Sequence, residues 1–181
     1  MGLLLGRRLG VAAAVSTAVG SAWFWKPATP SGPPRALKAG EPLVCALQSK
    51  RWVSSDVVRL RFVLPSSEQV LGLPVPGHLM VVDDAMTYRP YSPISIDSQA
   101  VGYFELLVRR YPRGEFSTQL ARMEPGDSAH FRGPVGSRFT YSRGAARHIG
   151  LVAAGTGITP MWQVIQSVLE SPDSDEKLSL L

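Results

Sequence analysis

Apolar and polar positions change rhythm several times along this chain. From Leu9 to Trp25 the run LGVAAAVSTAVGSAWFW carries no charge, with Arg7-Arg8 before it and Lys26 behind it. Lys26 to Gly40 (KPATPSGPPRALKAG) is rich in Pro, Gly, Ala and Ser, the texture of a semi-extended spacer that buries no core. From Glu41 short apolar stretches alternate with turns. Leu43 to Leu47 reads as a strand, and Val57 to Leu64 alternates apolar and basic over its second half, as a half-buried strand does. Pro74 to Gly77 reads as a turn, His78 to Val82 as a strand and Gly102 to Arg110 (GYFELLVRR) as another, broken by Pro112-Arg113-Gly114. Ser117 to Met123 predicts a short helix capped by the Ser117 hydroxyl. A turn at Pro125-Gly126-Asp127, a strand over Ser128 to Arg132 and a turn over Gly133 to Gly136 follow. Short strands at regular spacing, punctuated by Gly and Pro, indicate an antiparallel barrel or sandwich.

After Arg147 the pattern switches. His148 to Ala154 is an almost unbroken apolar run, as in parallel strands buried on both faces. Gly155-Thr156-Gly157-Ile158-Thr159-Pro160 follows, then a helix from Met161 to Glu170, and Lys177 to Leu181 reads as the start of a further strand. A lone strand–loop–helix unit of this kind is not expected to make a sheet or to cover both faces of one. The boundaries that result are 1–25 for the N-terminal segment, 26–40 for the linker, 41–145 for the barrel and 146–181 for the incomplete α/β unit.

The charge-free run admits several readings. At ~1.5 Å per residue it reaches the short limit for a bilayer core of ~30 Å, and Trp23-Phe24-Trp25 sits where an aromatic belt would lie. Gly20-Ser21-Ala22 resembles a secretory cleavage site, and the absence of acids before Glu41 suits a mitochondrial targeting segment. A membrane anchor is the favoured expectation. The 181 residues are 45% hydrophobic, a globular composition, with 19 Lys and Arg against 14 Asp and Glu for a formal charge of +5. That balance favours acidic partners, but the basic residues are scattered, so no nucleic acid is expected. One cysteine forms no internal disulfide, and no Cys/His spacing calls for a metal.

Chemistry concentrates in a few clusters. Arg89-Pro90-Tyr91-Ser92-Pro93-Ile94-Ser95 combines a guanidinium fork suited to phosphate, an aromatic face and small hydroxyl donors on a backbone stiffened by prolines. An ordinary strand with a polar turn reads the same way. Gly114-Glu115-Phe116-Ser117 puts a helix start, with its free amides and dipole, where an anion can sit; it is equally a plain N-cap. Gly155-Thr156-Gly157-Ile158-Thr159-Pro160 is a Gly-rich turn between strand and helix, a context for dinucleotide phosphates that lacks the third glycine of the Rossmann fingerprint.

In this order, and with Phe131-Arg132-Gly133-Pro134-Val135-Gly136 between them, these stretches resemble the ferredoxin–NADP reductase superfamily, and its NADH–cytochrome b5 reductase branch in particular. The resemblance runs from about Leu43 to the C-terminus. It implies a six-stranded antiparallel barrel holding FAD, followed by the first strand–loop–helix of a parallel-sheet domain for NADH. It further implies that Arg89 pairs with the FAD pyrophosphate, that Pro90, Tyr91 and Ser92 lie along the flavin and its ribityl chain, and that Leu107 and Arg109 contact FAD from their strand. Glu115, Phe116 and Ser117 would open the phosphate-facing helix, Thr159 would stand near the flavin, and Gly155, Thr156, Gly157 and Pro160 would form the nicotinamide-side loop. The implied activity is transfer of electrons from NADH through FAD to a haem protein such as cytochrome b5, on the cytosolic side of the mitochondrial outer membrane or the endoplasmic reticulum. A non-catalytic FAD-binding module, or a flavin reductase with another acceptor such as a quinone or an iron–sulfur protein, is the alternative.

Some features depart from the family. Relatives carry Lys where Glu115 stands and often an aromatic at Pro112, and Tyr111 to Gly114 is short. The family's further parallel strands, its Cys-Gly motif and its C-terminal aromatic do not occur in these residues. The sequence therefore reads as a fragment, a shortened product, or a chain completed by a partner.

Overall fold

A computed structural model describes residues 32–83, 86–135, 139–170 and 175–181. The N-terminal segment and the first part of the linker, Met1 to Ser31, lie outside the described residues. Among the described residues, no helix is long and apolar enough to cross a membrane.

The first six strands are β1 (Leu43–Trp52), β2 (Val57–Val63), β3 (His78–Val82), β4 (Tyr88–Tyr91), β5 (Tyr103–Arg109) and β6 (Ser128–Val135), with α1 (Glu115–Arg122) between β5 and β6. They form one antiparallel six-stranded sheet in the order β4-β3-β6-β1-β2-β5. The period-two pattern explains the curl: Val58, Leu60 and Phe62 on β2 point inward while Arg59 and Arg61 point out. Phe62, Phe104 and Phe131 meet at the centre, with ring centroids 5.0 to 5.4 Å apart. Cys45 is buried beside them, and burial pushes its thiol up to about 12, so it remains protonated.

The seam between the edge strands is closed by the segment after β4. Ile94 N donates to Glu105 O at 2.9 Å, and Glu105 N donates to Ser95 Oγ at 3.0 Å. Ser95, expected as a donor to a ligand, is therefore an acceptor that closes the barrel. Opposite it, the Glu105 carboxylate is gripped on the outer face by Arg59 and by Arg61 Nε, the latter at 2.9 Å.

The second layer is β7 (His148–Leu151), a single 3₁₀ turn at Gly155–Gly157, α2 (Ile158–Leu169) and β8 (Lys177–Leu180). β7 and β8 pair in parallel, so the unit does form a small sheet, contrary to the expectation that it could not. The run from His148 is not buried on both faces either: only Leu151 is buried within β7, and Val152 is 76% exposed. Leu151, Val164 and Val168 form a second small core with Tyr141 and Val75.

Further expectations are corrected. α1 begins two residues before Ser117, with Gly114 at its N-cap and no side-chain cap. Ser117 lies inside the first turn, where its hydroxyl donates to Gly114 O at 3.1 Å and accepts from Tyr111 N at 3.2 Å. The expected turn over Gly133 to Gly136 is strand as far as Val135, because β6 pairs with β3 through His78 and Val135. α2 starts at Ile158, three residues earlier than the apolar pattern indicated. The spacer, finally, is not wholly without a core. Ala36 N and Leu37 N donate to Val70 O and Leu71 O, and Leu37 is 5% exposed.

A buried amide fastens the α/β unit to the barrel. Gln163, 1% exposed, accepts from Gly77 N at 2.7 Å and donates through Nε2 to Gly77 O at 3.2 Å and Pro93 O at 2.7 Å. Gln166 Nε2 adds a bond to Ile94 O at 2.9 Å. Gln163→Leu keeps the bulk but strands buried backbone groups, and urea denaturation is expected to show a loss of about 2–3 kcal/mol.

Desolvation raises the Glu105 pKa, but the Arg59 and Arg61 hydrogen bonds and charges outweigh it, and the net direction is down. A carboxylate with a lower pKa folded than unfolded contributes stability that is complete above its unfolded value and is lost as pH falls through the folded one. Unfolding free energy measured from about pH 6 downward is therefore expected to fall less steeply in Glu105→Gln than in the parent.

Candidate functional site

Strand alternation brings the site together. Tyr91 at the end of β4 pairs with Leu79 on β3, and Leu107 and Arg109 on β5 share a face. The 3₁₀ turn delivers Thr156 and the first turn of α2 delivers Thr159. Pro90, Tyr91, Ser92, Leu107, Arg109, Thr156 and Thr159 line one hollow of about 410 Å³, between the barrel and the α/β unit. That volume is within the range of small-molecule sites, ~300–1,000 Å³.

His78 and Tyr111 line the hollow as well. From the sequence, His78 is expected as an ordinary strand or loop residue and Tyr111 only as part of a short segment. The β3–β4 register carries the missing signal, because His78 is one step past Leu79, which pairs with Tyr91.

The hollow is held by specific bonds. Thr159, 6% exposed, donates from Oγ1 to Thr156 O at 3.0 Å and locks the Gly-rich turn. Gly155 has φ +55°, a left-handed conformation that disfavours any side chain, and a Cβ there would stand 3.9 Å from an Arg109 terminal nitrogen. Arg109 Nε donates to Asp56 Oδ2 at 2.8 Å. The Asp56 carboxyl is held below its ordinary range chiefly by the Ser54 hydroxyl, which desolvation opposes and the Arg109 hydrogen bond and charge assist. Burial raises the Tyr91 phenol despite the Arg89 charge, so Tyr91 is a neutral hydroxyl donor.

Other expected residues lie outside the hollow. Arg89 is exposed, and one terminal nitrogen donates to its neighbour's carbonyl, Tyr88 O, at 3.0 Å. Glu115 is exposed at the first turn of α1. Phe116 packs its ring 6.2 Å from Tyr91, nearly parallel, and lines a separate hollow of about 360 Å³ between α1, β3 and β6. Ser117 is buried and committed to the backbone. Gly155 and Gly157 of the turn and Pro160 of α2 do not line the hollow.

The residues present fit a flavin nucleotide. The hollow offers an aromatic face in Tyr91 and hydroxyls from Ser92, Thr156 and Thr159. Beside Tyr91, α1 starts without a side-chain cap, so its first-turn amides remain available to an anion. At Gly114 a Cβ would meet Ser117 Oγ at 2.7 Å, so the bend into the helix depends on glycine. Among the described residues, no group of three or more His, Cys, Asp or Glu side chains gathers into a metal site.

Comparison with known proteins agrees with this geometry. Residues 44–141 match the oxidoreductase FAD-binding domain, and residues 151–181 match the oxidoreductase NAD-binding domain. NADH-cytochrome b5 reductase 1 of Dictyostelium discoideum is 39% identical over 150 residues, which are 81% of this chain and 52% of that protein. Its namesake in Debaryomyces hansenii is 36% identical over 174 residues, 94% of this chain and 60% of that protein. The chain thus spans about half the length of the curated relatives it matches. Among solved structures, the cytochrome b5 reductase domain of Ulva prolifera nitrate reductase superposes with a TM-score of 0.73 at 30% identity, covering 81% of this chain and 63% of that one. The resemblance read from the motifs, the curl of the six strands and the domain match meet on one conclusion: this chain belongs to the FAD-binding oxidoreductase family and is similar to its NADH–cytochrome b5 reductases.

Proposed function

We propose that this chain is the flavin-holding part of an NADH-dependent oxidoreductase that delivers electrons to a haem protein of the cytochrome b5 class. The observation that carries the reading is the single hollow shared by Tyr91, Ser92, Leu107, Arg109, Thr156 and Thr159, which spans both matched domains. Bound FAD supplies the redox chemistry, accepting a hydride and releasing electrons singly. The protein's own residues bind and orient it. Tyr91 covers a ring face, Ser92 and Thr159 supply hydroxyls, and the uncapped start of α1 receives the pyrophosphate. Arg89 is solvent-facing and donates to a neighbouring carbonyl, a bond that a phosphate outcompetes because charge-assisted pairs are stronger. The net charge of +5 suits an acidic acceptor. The charge-free run Leu9 to Trp25 would tether the domain to the mitochondrial outer membrane or the endoplasmic reticulum, facing the cytosol.

A flavin-holding module without NADH oxidation is the second reading. A carboxylate at the start of α1 opposes the pyrophosphate charge in either reading, and exposed Glu115 is placed to turn to solvent.

The purified chain, incubated with FAD and desalted, is expected to keep visible flavin absorbance. Anaerobic NADH is then expected to bleach that absorbance in stopped flow. Retained flavin without bleaching selects the module, and no retained flavin refutes both readings. In FAD titrations, Arg89→Ala is expected to weaken binding about tenfold or more, and unchanged affinity would remove Arg89 from the site.

A further inference from the structure

Asp56 stands at the end of the β1–β2 turn, outside the motifs that relate this chain to its family. Both of its carboxylate oxygens are occupied. Ser54 Oγ donates to Oδ1 at 2.8 Å, and Arg109 Nε donates to Oδ2 at 2.8 Å. Ser54 is itself fixed, since its hydroxyl accepts from Val57 N at 3.1 Å. Asp56 also holds the end of β5 through its backbone, where its carbonyl accepts from Arg110 N at 2.7 Å. The Arg110 guanidinium lies 5.3 Å from the centre of the Trp52 ring, across the base of the same turn. The turn is therefore docked on the end of β5 next to the hollow.

Arg109 is the residue this docking orients. It lines the hollow from the same face of β5 as Leu107. Binding through Nε leaves the two terminal nitrogens of the planar fork to face other groups, and the guanidinium also lies 5.7 Å from the centre of the Tyr111 ring. One of them stands against Gly155, at 3.9 Å from where a Cβ would be. An exposed pair of this kind contributes little to stability. Its effect is to restrict a long, flexible cation to one direction, toward the hollow and the Gly-rich turn.

We propose that Asp56 is a positioning residue: braced by Ser54, its carboxylate aims the Arg109 guanidinium at acceptor atoms of the flavin nucleotide in the hollow. The proposal rests on the flavin reading above. It predicts the opposite sign from simple charge repulsion, in which removing the Asp56 charge would favour an anionic ligand.

The test is a double-mutant cycle on FAD affinity in the full chain, measured by flavin fluorescence quenching, with circular dichroism confirming each fold. Asp56→Asn is expected to weaken FAD binding about three- to tenfold. Arg109→Ala is expected to weaken it at least as much, and Asp56→Asn added to Arg109→Ala to cost nothing further. Asp56→Glu, which keeps the charge, is expected to recover most of the affinity. Unchanged or tighter binding in a folded Asp56→Asn variant overturns the proposal, as do additive losses in the double variant. A parent chain that takes up no FAD overturns the flavin reading and the Asp56 role together.

Discussion

The arrangement of both layers depends on the carboxamide of Gln163. It is fully desolvated, and it uses its acceptor and both of its donor hydrogens on backbone groups of the barrel. Those groups, in Gly77 and Pro93, flank the strands that carry His78 and Tyr91. The same amide therefore fastens the α/β unit and sets the height at which Thr156 and Thr159 face Tyr91. An apolar contact would hold the layers together without fixing that register, because it lacks direction. A hydrogen-bonded amide has one geometry, and a buried one left unpaired is costly.

Around this joint, the outer face of the barrel is organised by charge. β2 and β5 pair residue for residue from Val57–Arg109 to Val63–Tyr103. On their outward side Glu105 sits between Arg59 and Arg61, and Asp56 meets Arg109 at the end. Each carboxylate answers arginines that strand alternation forces outward. The chain thereby keeps a basic excess without leaving guanidinium groups to repel one another across the ladder.

Much of this was legible in the sequence. Val57 to Leu64 shows its strand by alternation over its second half, and the stretch Arg89 to Ser95 contains Pro90, Tyr91 and Ser92, which line the hollow. What escaped were features decided by hydrogen-bond partners that residue type alone does not announce. Ser117 looked like a cap because its residue type suits one, but Tyr111 N and Gly114 O claim its hydroxyl. Ser95 looked like a ligand donor, yet Glu105 N reaches it across the seam. Gly133 to Val135 read as a turn from Gly and Pro, and pairing with β3 overrode that preference. His78 carried no local signal, since its place in the hollow comes from the register of β3 against β4. Gln163 lay unremarked in an apolar helix, where a lone polar residue gives no hint of what it will bond.

The bare start of α1 has a consequence for the life of the molecule. A helix whose first-turn amides are left to water frays more readily than a capped one, and an anion seated there removes that weakness. Occupancy and local order are then linked by mass action. The neighbouring Tyr111 to Arg113, already exposed, becomes the place where a protease would distinguish a loaded molecule from an empty one. Turnover of the protein would then follow the supply of whatever fills the site.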